Sequence, residues 1–280
     1  MNIQELIDHG SRVLKQNNIV SYSLDSEILM SKAIKKDRSY IMLNLDKKLD
    51  KKISKYYNNL IIERSTHKPI AYILGKKSFW NYEFNISRDV LIPRPDTEII
   101  VEKVLQITKN KSKLKILDIG IGSGCILLSI LKEKLNFYGT GIDISKKCID
   151  IARINANKLG VKNRLKLIKS DIDNFNYGKY DLIISNPPYI KKIDLKYLEK
   201  DVIDFEPVLA LNGGLKGLSE IRKVINKASK LIKKSGQLVL EIAFNQKHEV
   251  KNILNEKGFY INSVVKDYAD NDRCIISTKI

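Results

Sequence analysis

The run Ser185-Asn186-Pro187-Pro188-Tyr189 follows the apolar residues Leu182-Ile183-Ile184. A buried strand that ends in a side-chain amide, two prolines and an aromatic ring is suited to holding a planar NH2 group for methylation. The nitrogen of an amide or aromatic amine is a poor nucleophile because its lone pair is delocalised into the attached π system. The Asn186 side-chain oxygen and a backbone carbonyl of the Pro187-Pro188 turn could each accept one N–H, leaving the lone-pair direction open to a methyl donor. The prolines fix φ and bring no competing N–H. Tyr189 could stack on the flat group, hold it in a near-attack pose and exclude water. No strong base is required, since attack on a sulfonium methyl turns a cation into a neutral thioether and acidifies the nitrogen. A proline turn that merely closes a strand would use the same residue types, so the motif needs a companion.

The companion lies upstream. Leu114 to Leu117 reads as a short apolar strand leading into Asp118-Ile119-Gly120-Ile121-Gly122-Ser123-Gly124-Cys125, and a helical run from Ile126 to Leu131 follows. Strand, glycine loop and helix together describe a nucleotide cradle, in which the glycines permit a tight turn and close backbone approach. The dinucleotide pattern G-x-G-x-x-G fails at Cys125, and no Gly-Lys-Ser/Thr follows for a phosphate-binding loop. G-x-G-x-G after an acid suits a ligand without a pyrophosphate, and S-adenosylmethionine fits that description. The next strand, Phe137 to Ile142, ends in Asp143, placed to accept from ribose hydroxyls. A further strand, Leu165 to Ile168, ends in Ser170-Asp171-Ile172, where the acid could accept from the adenine amine. Either aspartate alone could be a turn residue or a cap, but both stand at strand ends.

More pieces accompany these: Lys68-Pro69-Ile70-Ala71-Tyr72-Ile73-Leu74-Gly75, Phe79-Trp80, Leu91-Ile92-Pro93-Arg94-Pro95-Asp96-Thr97-Glu98, Phe205-Glu206-Pro207 with Ala210-Leu211, and Glu241-Ile242. With Asn186-Pro187-Pro188-Tyr189 they span nearly the whole chain, which resembles the glutamine N5-methyltransferases of class 1 peptide-chain release factors, the PrmC/HemK family. The resemblance implies donor binding by Gly120, Ile121, Gly122, Ser123, Gly124, Asp143 and Asn186, with Asn186 to Tyr189 gripping the glutamine of a Gly-Gly-Gln loop. Ile172 stands where some relatives carry an aromatic residue against the adenine, and offers an apolar wall without a π face. N-P-P-Y is shared with DNA and RNA adenine methyltransferases, so an N6-adenine methyltransferase is the alternative, although no extra recognition region is evident. A non-catalytic protein that keeps the donor fold is disfavoured by the intact Asn186 motif.

The elements that must position these residues follow from periodicity. From Leu114 onward, short apolar strands alternate with helical segments, the pattern of a parallel sheet with helices on both faces. The expected fold class is α/β, a Rossmann-like seven-stranded methyltransferase sheet with its last strand antiparallel, plus a small N-terminal helical bundle. Ile3, Leu6, Ile7, Val13 and Leu14 recur at helical spacing, as do Leu24, Ile28 and Leu29, and Asp50 can cap a third helix through Ile61. Residues 1–75 are therefore read as a helical domain, which the family implies docks the release factor. Residues 76–97 are read as a β-hairpin linker and 98–280 as the methyltransferase domain. Pro93 and Pro95 stop the hairpin ladder, Asp96 or Thr97 can cap a helix from Glu98 to about Ile107, and Arg94 is expected to wall the substrate channel. The stretch Ile190 to Gly217 is long for a connection and reads as a substrate-facing flap, with Glu206 positioning the substrate.

Composition bounds the rest. The 280 residues allow a large core plus a smaller one. No run approaches the ~20 apolar residues of a membrane helix, and Met1-Asn2-Ile3-Gln4-Glu5 lacks the layout of a signal peptide, so a cytoplasmic location and no membrane partner are expected. Cys125, Cys148 and Cys274 show neither C-x-x-C spacing nor a companion histidine cluster, which argues for reduced thiols and no metal. The formal charge of +18 is consistent with incidental RNA or ribosome contact. Scattered lysines without an Arg-rich arm or basic-aromatic alternation favour a solvated coat instead.

Overall fold

Asn2 starts the first helix by accepting from the Glu5 amide at 2.8 Å, while the Glu5 carboxylate accepts from the Asn2 amide at 3.0 Å, a reciprocal cap. The computed structural model describes residues 1–280, which fall into two units: residues 1–75 with 199–205, and residues 76–198 with 206–280.

The smaller unit holds α1 (Ile3–Gln16), α2 (Tyr22–Ile34), α3 (Arg38–Met42), α4 (Lys51–Ser65) and α5 (Ile70–Leu74). Asp50 caps α4 by accepting from the Ile53 amide at 2.7 Å. Apolar residues at helical spacing, including Ile3, Leu6, Leu14, Leu29, Tyr57 and Ile61, form its core. One buried cation sits beside them. Arg64 pairs with Asp25 at 2.7 Å and with Asp201 at 2.9 Å, and His67 Nδ1 lies 3.1 Å from the same Asp201. Asp201 belongs to the short segment 199–205, so this piece of the long stretch after Tyr189 groups with the helical unit.

The larger unit opens with a hairpin of β1 (Lys76–Phe79) and β2 (Tyr82–Asn85). There follow α6 (Glu98–Ile107), β3 (Lys115–Ile119), α7 (Cys125–Glu133), β4 (Tyr138–Asp143), α8 (Lys146–Lys158), β5 (Leu165–Lys169) and β6 (Tyr180–Ser185). After the insertion, with its short α9 (Lys200–Ile203), come α10 (Ser219–Leu231), β7 (Ile232–Glu241), α11 (Lys247–Glu256), β8 (Phe259–Lys266) and β9 (Asp272–Lys279). The sheet has seven strands in the order β5-β4-β3-β6-β7-β9-β8. Only the last strand in sequence, β9, runs against its neighbours, slotted between β7 and β8.

The sheet is covered on both faces because neighbouring residues on a strand point opposite ways. Ile116, Leu182, Ile184 and Val239 join one core with residues of α6, α7 and α8; Leu117, Ile183, Leu238 and Leu240 join the other with α10 and α11. The hairpin is part of the first core. Phe79 and Phe84 are buried in it and meet edge to face at 6.1 Å. Trp80 Nε1, Asn81 Nδ2 and the Tyr82 hydroxyl all donate to Glu133 Oε1 on α7, at 3.0, 3.3 and 2.9 Å. Residues 76–97 are thus built into the larger unit, not a free-standing linker. β7 starts early: Ile232 already pairs with Tyr180, and a register shift precedes the Leu182–Gln237 pairing. No helix is long and apolar enough to cross a membrane.

Candidate active site

The chain winds from β3 outward to β4 and β5, then returns to place β6 on the other side of β3. Ligands in open α/β sheets bind at the carboxyl ends of strands flanking such a reversal. A cavity of about 640 Å³ opens there, lined by the ends of β3 to β6, the turn around Arg94 and the later half of the insertion.

One side of the cavity is the glycine loop. Gly120 and Gly122 have φ of +78° and +54°, where a side chain would be strained, and a Cβ on either would stand in open space. The loop is seated by the amides of Gly120 and Ile121, which both donate to the Ile142 carbonyl at 2.9 Å. Gly124 also has a positive φ, of +83°, but its absent Cβ would fall 2.7 Å from Leu128 Cδ1, so it serves the packing of α7 and does not line the cavity. Asn155 on α8 braces the loop from behind. Its Nδ2 donates to the Ser123 and Asn85 carbonyls at 2.8 and 2.9 Å, tying loop and hairpin together.

Asp143 ends β4 at the cavity wall, accepting from the Gly122 amide at 3.0 Å and the Ser145 amide at 2.9 Å. Burial raises its carboxyl above the usual value, opposed by those two amides. Asp171 uses one oxygen to accept from the Asp173 amide at 2.8 Å, and both Asp171 and Ile172 line the cavity. A cradle with room for a ligand against bare backbone, a carboxylate at the next strand end and an acid beside an apolar wall at the third fit the methionine, ribose and adenine parts of S-adenosylmethionine. Asp118, the acid ahead of the loop, is fully buried with Oδ1 unpartnered. Burial, reinforced by the charge of Asp143, pushes its pKa up to about 8.

The other side is the Asn186 turn. Asn186, Pro187 and Pro188 line the cavity. Tyr189 does not: its hydroxyl donates to Glu241 Oε1 at 3.3 Å, and burial raises the phenol well above its ordinary pKa. The chain beyond Pro188 is pinned by Gln246, whose Nε2 donates to the Tyr189 and Gly217 carbonyls at 3.0 Å each. The ring consequently packs into the second core, and a stacking role for it on substrate gains no support from this arrangement. Asn186 Nδ2 donates instead to the Thr97 hydroxyl at 3.3 Å.

Arg94 lines the cavity, and Glu206 does not. Glu206 is buried, and its two oxygens take Arg94 Nη2 and, at 3.1 Å, the Ile92 amide. It acts on Arg94, not on the cavity directly. The rest of the expected flap divides. Pro207 to Ala210 line the cavity, while residues 199–205 belong to the smaller unit. Thr97 does not cap α6 through its side chain; its hydroxyl is engaged by Asn186. Sequence reading missed that partnership and the buried setting of Glu241, because both depend on residues distant in the chain.

The comparisons with known proteins agree with this geometry. A family model described as the PrmC N-terminal domain matches residues 5–75, and one described as a methyltransferase domain matches residues 110–274. A release factor glutamine methyltransferase of Clostridium acetobutylicum is 36% identical over 282 residues, covering 100% of this chain and 99% of its own. One from Clostridium botulinum is 38% identical and covers 100% of each chain. The chain belongs to the release factor glutamine methyltransferase family. Among solved structures, a methyltransferase from Pyrococcus furiosus shares the fold at a TM-score of 0.53 and 17% identity, covering 79% of this chain and 97% of its own. In this member of the release factor glutamine methyltransferase family, the glycine loop and the Asn186 turn line one and the same cavity.

Proposed function

We propose that this protein transfers a methyl group from S-adenosylmethionine to the side-chain amide nitrogen, N5, of the glutamine in the Gly-Gly-Gln loop of class 1 peptide-chain release factors. The observation that carries the reading is the meeting, in one cavity, of the Asn186-Pro187-Pro188 turn with the Gly120 to Ser123 loop. Full-length kinship with proteins named for this activity selects glutamine over adenine as the acceptor.

The residues divide the work. Gly120, Ile121, Gly122 and Ser123 give the donor bare backbone to lie against; Asp143 accepts from its ribose and Asp171 from its adenine amine, with Ile172 as the apolar wall. When bound, S-adenosylmethionine supplies an electrophilic methyl on a sulfonium sulfur. Asn186 Oδ1 and a carbonyl of the proline turn accept the two N–H groups of the glutamine, fixing the amide plane so that its nitrogen lone pair faces the donor. The prolines keep that turn rigid and free of competing donors. Arg94 and Pro207 to Ala210 close the acceptor side. The proton that leaves the nitrogen goes to water, because the methylated amide is strongly acidic until it is lost.

The smaller unit, matched by the PrmC N-terminal model, serves in this reading to dock the release factor. A substrate of the translation apparatus goes with a cytoplasmic location. Incubation with S-adenosylmethionine and a purified release factor, followed by mass spectrometry of the loop peptide, tests the whole reading. A methyl on the glutamine is expected; a methyl found only on adenine of added nucleic acid overturns it.

A further inference from the structure

Gln246 stands just before α11, 4% exposed, with its side-chain oxygen and both of its amide protons engaged by backbone. Oε1 accepts from the Ala243 amide at 3.0 Å, and Nε2 donates to the Tyr189 and Gly217 carbonyls at 3.0 Å each. A backbone N–H can only donate and a carbonyl can only accept, so these partners admit one orientation of the side-chain amide. Tyr189 and Gly217 bracket the insertion. The first follows the Asn186-Pro187-Pro188 turn, and the second ends the stretch that brings Pro207 to Ala210 to the cavity. The two ends approach closely: Gly217 has a φ of +73°, and a Cβ on it would fall 2.3 Å from the Tyr189 oxygen and 2.7 Å from Gln246 Nε2.

We propose that Gln246 is a positioning residue for methyl transfer: it closes the base of the insertion and so sets the aim of the Asn186 turn and the seating of Pro207 to Ala210 together. The prolines have no N–H with which to anchor the turn, so its downstream end is held at the Tyr189 carbonyl. That carbonyl and the Gly217 carbonyl share one donor nitrogen, and a shift of either chain end is passed to the other. The chemistry of the clamp is particular to an amide. A lysine could not accept from Ala243, an ionised glutamate could not donate to either carbonyl, and a methionine could do neither. Gln246 does not line the cavity, and its side-chain bonds reach none of the donor-binding residues. It acts on the acceptor side through backbone alone. This rests on the functional reading above, since it concerns the acceptor side of the same cavity.

The test measures kcat and KM for the release factor, and the donor dissociation constant, in wild type, Gln246→Met, Gln246→Glu and Gly217→Ala. Gln246→Met keeps the bulk and removes the clamp; kcat is expected to fall by about a hundredfold, the scale of a reacting group displaced by about 1 Å, with donor affinity unchanged. Gln246→Glu separates positioning from packing. Ionised, its carboxylate donates to neither carbonyl; protonated, it donates to one. Its kcat relative to wild type should therefore rise as the pH is lowered from about 8 to about 6, a range in which a buried acid gains its proton. Gly217→Ala pushes the Tyr189 carbonyl with Gln246 intact and should reproduce the low kcat and unchanged donor affinity, which keeps the proposal testable should the methionine variant fold poorly. Wild-type kcat in Gln246→Met overturns the clamp, as does a donor dissociation constant that rises in step with the loss of kcat, or a Gln246→Glu deficit that does not change with pH. If the wild-type methyl appears on a different planar amine, the functional reading falls while the split between kcat and donor affinity still decides the clamp.

Discussion

Glu206 holds Arg94 and the Ile92 amide at once, one carboxylate oxygen to each, across more than a hundred residues of sequence. The pair is lopsided, with the Glu206 side chain 2% exposed and the Arg94 side chain 37% exposed. Removing the arginine strands a buried acid, whereas removing the acid frees an exposed cation and leaves one amide unpaired. Arg94→Met should therefore lower stability by about 1–3 kcal/mol, the cost of a buried group left without its partner, and also raise KM for the release factor. Chemical denaturation and steady-state kinetics on the same variant check both effects.

Asn186→Ala should abolish turnover while leaving donor binding measurable, because it removes an acceptor for the reacting NH2. Asp143→Ala should act the other way round. It deletes a carboxylate at the donor wall and frees the Gly122 and Ser145 amides, so donor affinity should fall by roughly 1–3 kcal/mol, the range for hydrogen bonds to a charged group. Calorimetric titration with the donor distinguishes the two variants.

Gly141 lies on β4, behind the loop. A Cβ there would come within 2.2 Å of Ile121 Cδ1, a side chain buried beneath the donor cradle. Gly141→Ala should push Ile121 and weaken donor binding without touching the donor, whereas the Asn186 turn is left in place. The expected signature is a raised donor dissociation constant with kcat at saturating donor close to wild type.

Asp118 gives a pH dependence with a definite sign. Its carboxyl ionises near 3.8 when free but at about 8 in the folded protein. The folded state therefore holds a proton that the unfolded state has lost across that interval, and stability declines as pH rises from about 4 towards 8. Asp118→Asn carries no such proton. The unfolding temperature of the variant relative to wild type should climb between pH 4 and pH 8 and then level off. A difference independent of pH would show that Asp118 is ionised in the folded protein.

What the sequence discloses is whatever sits in one short window. Gly120 to Gly124, Asp143 and Asn186 to Pro188 each stand at a strand end, and the alternation of Ile116 with Leu117 or Ile183 with Ile184 announces a sheet covered on both faces. Relationships across windows are hidden. Thr97 before Glu98 has every local mark of a helix cap, and only the folded sheet brings it to Asn186, 89 residues away. Tyr189 follows the prolines as a stacking ring should, but Glu241, 52 residues on, claims its hydroxyl and turns it into the core. Glu206 was legible as a positioning group, though the thing it positions is Arg94. The hairpin is tied to α7 by three donors that converge on Glu133, a convergence no local pattern encodes.

The ion pairs of Asp201 make the helical unit discontinuous in heredity as well as in sequence. Arg64, nearly sealed from water, counts on a carboxylate supplied from a stretch that lies downstream of the Asn186 motif. A chimaera that takes residues 1–75 from a relative and everything else from this chain inherits half of that arrangement. The transferable module is residues 1–75 together with 199–205, and a substitution at Asp201 ought to be tolerated among relatives only where the positions of Arg64 and His67 have changed with it.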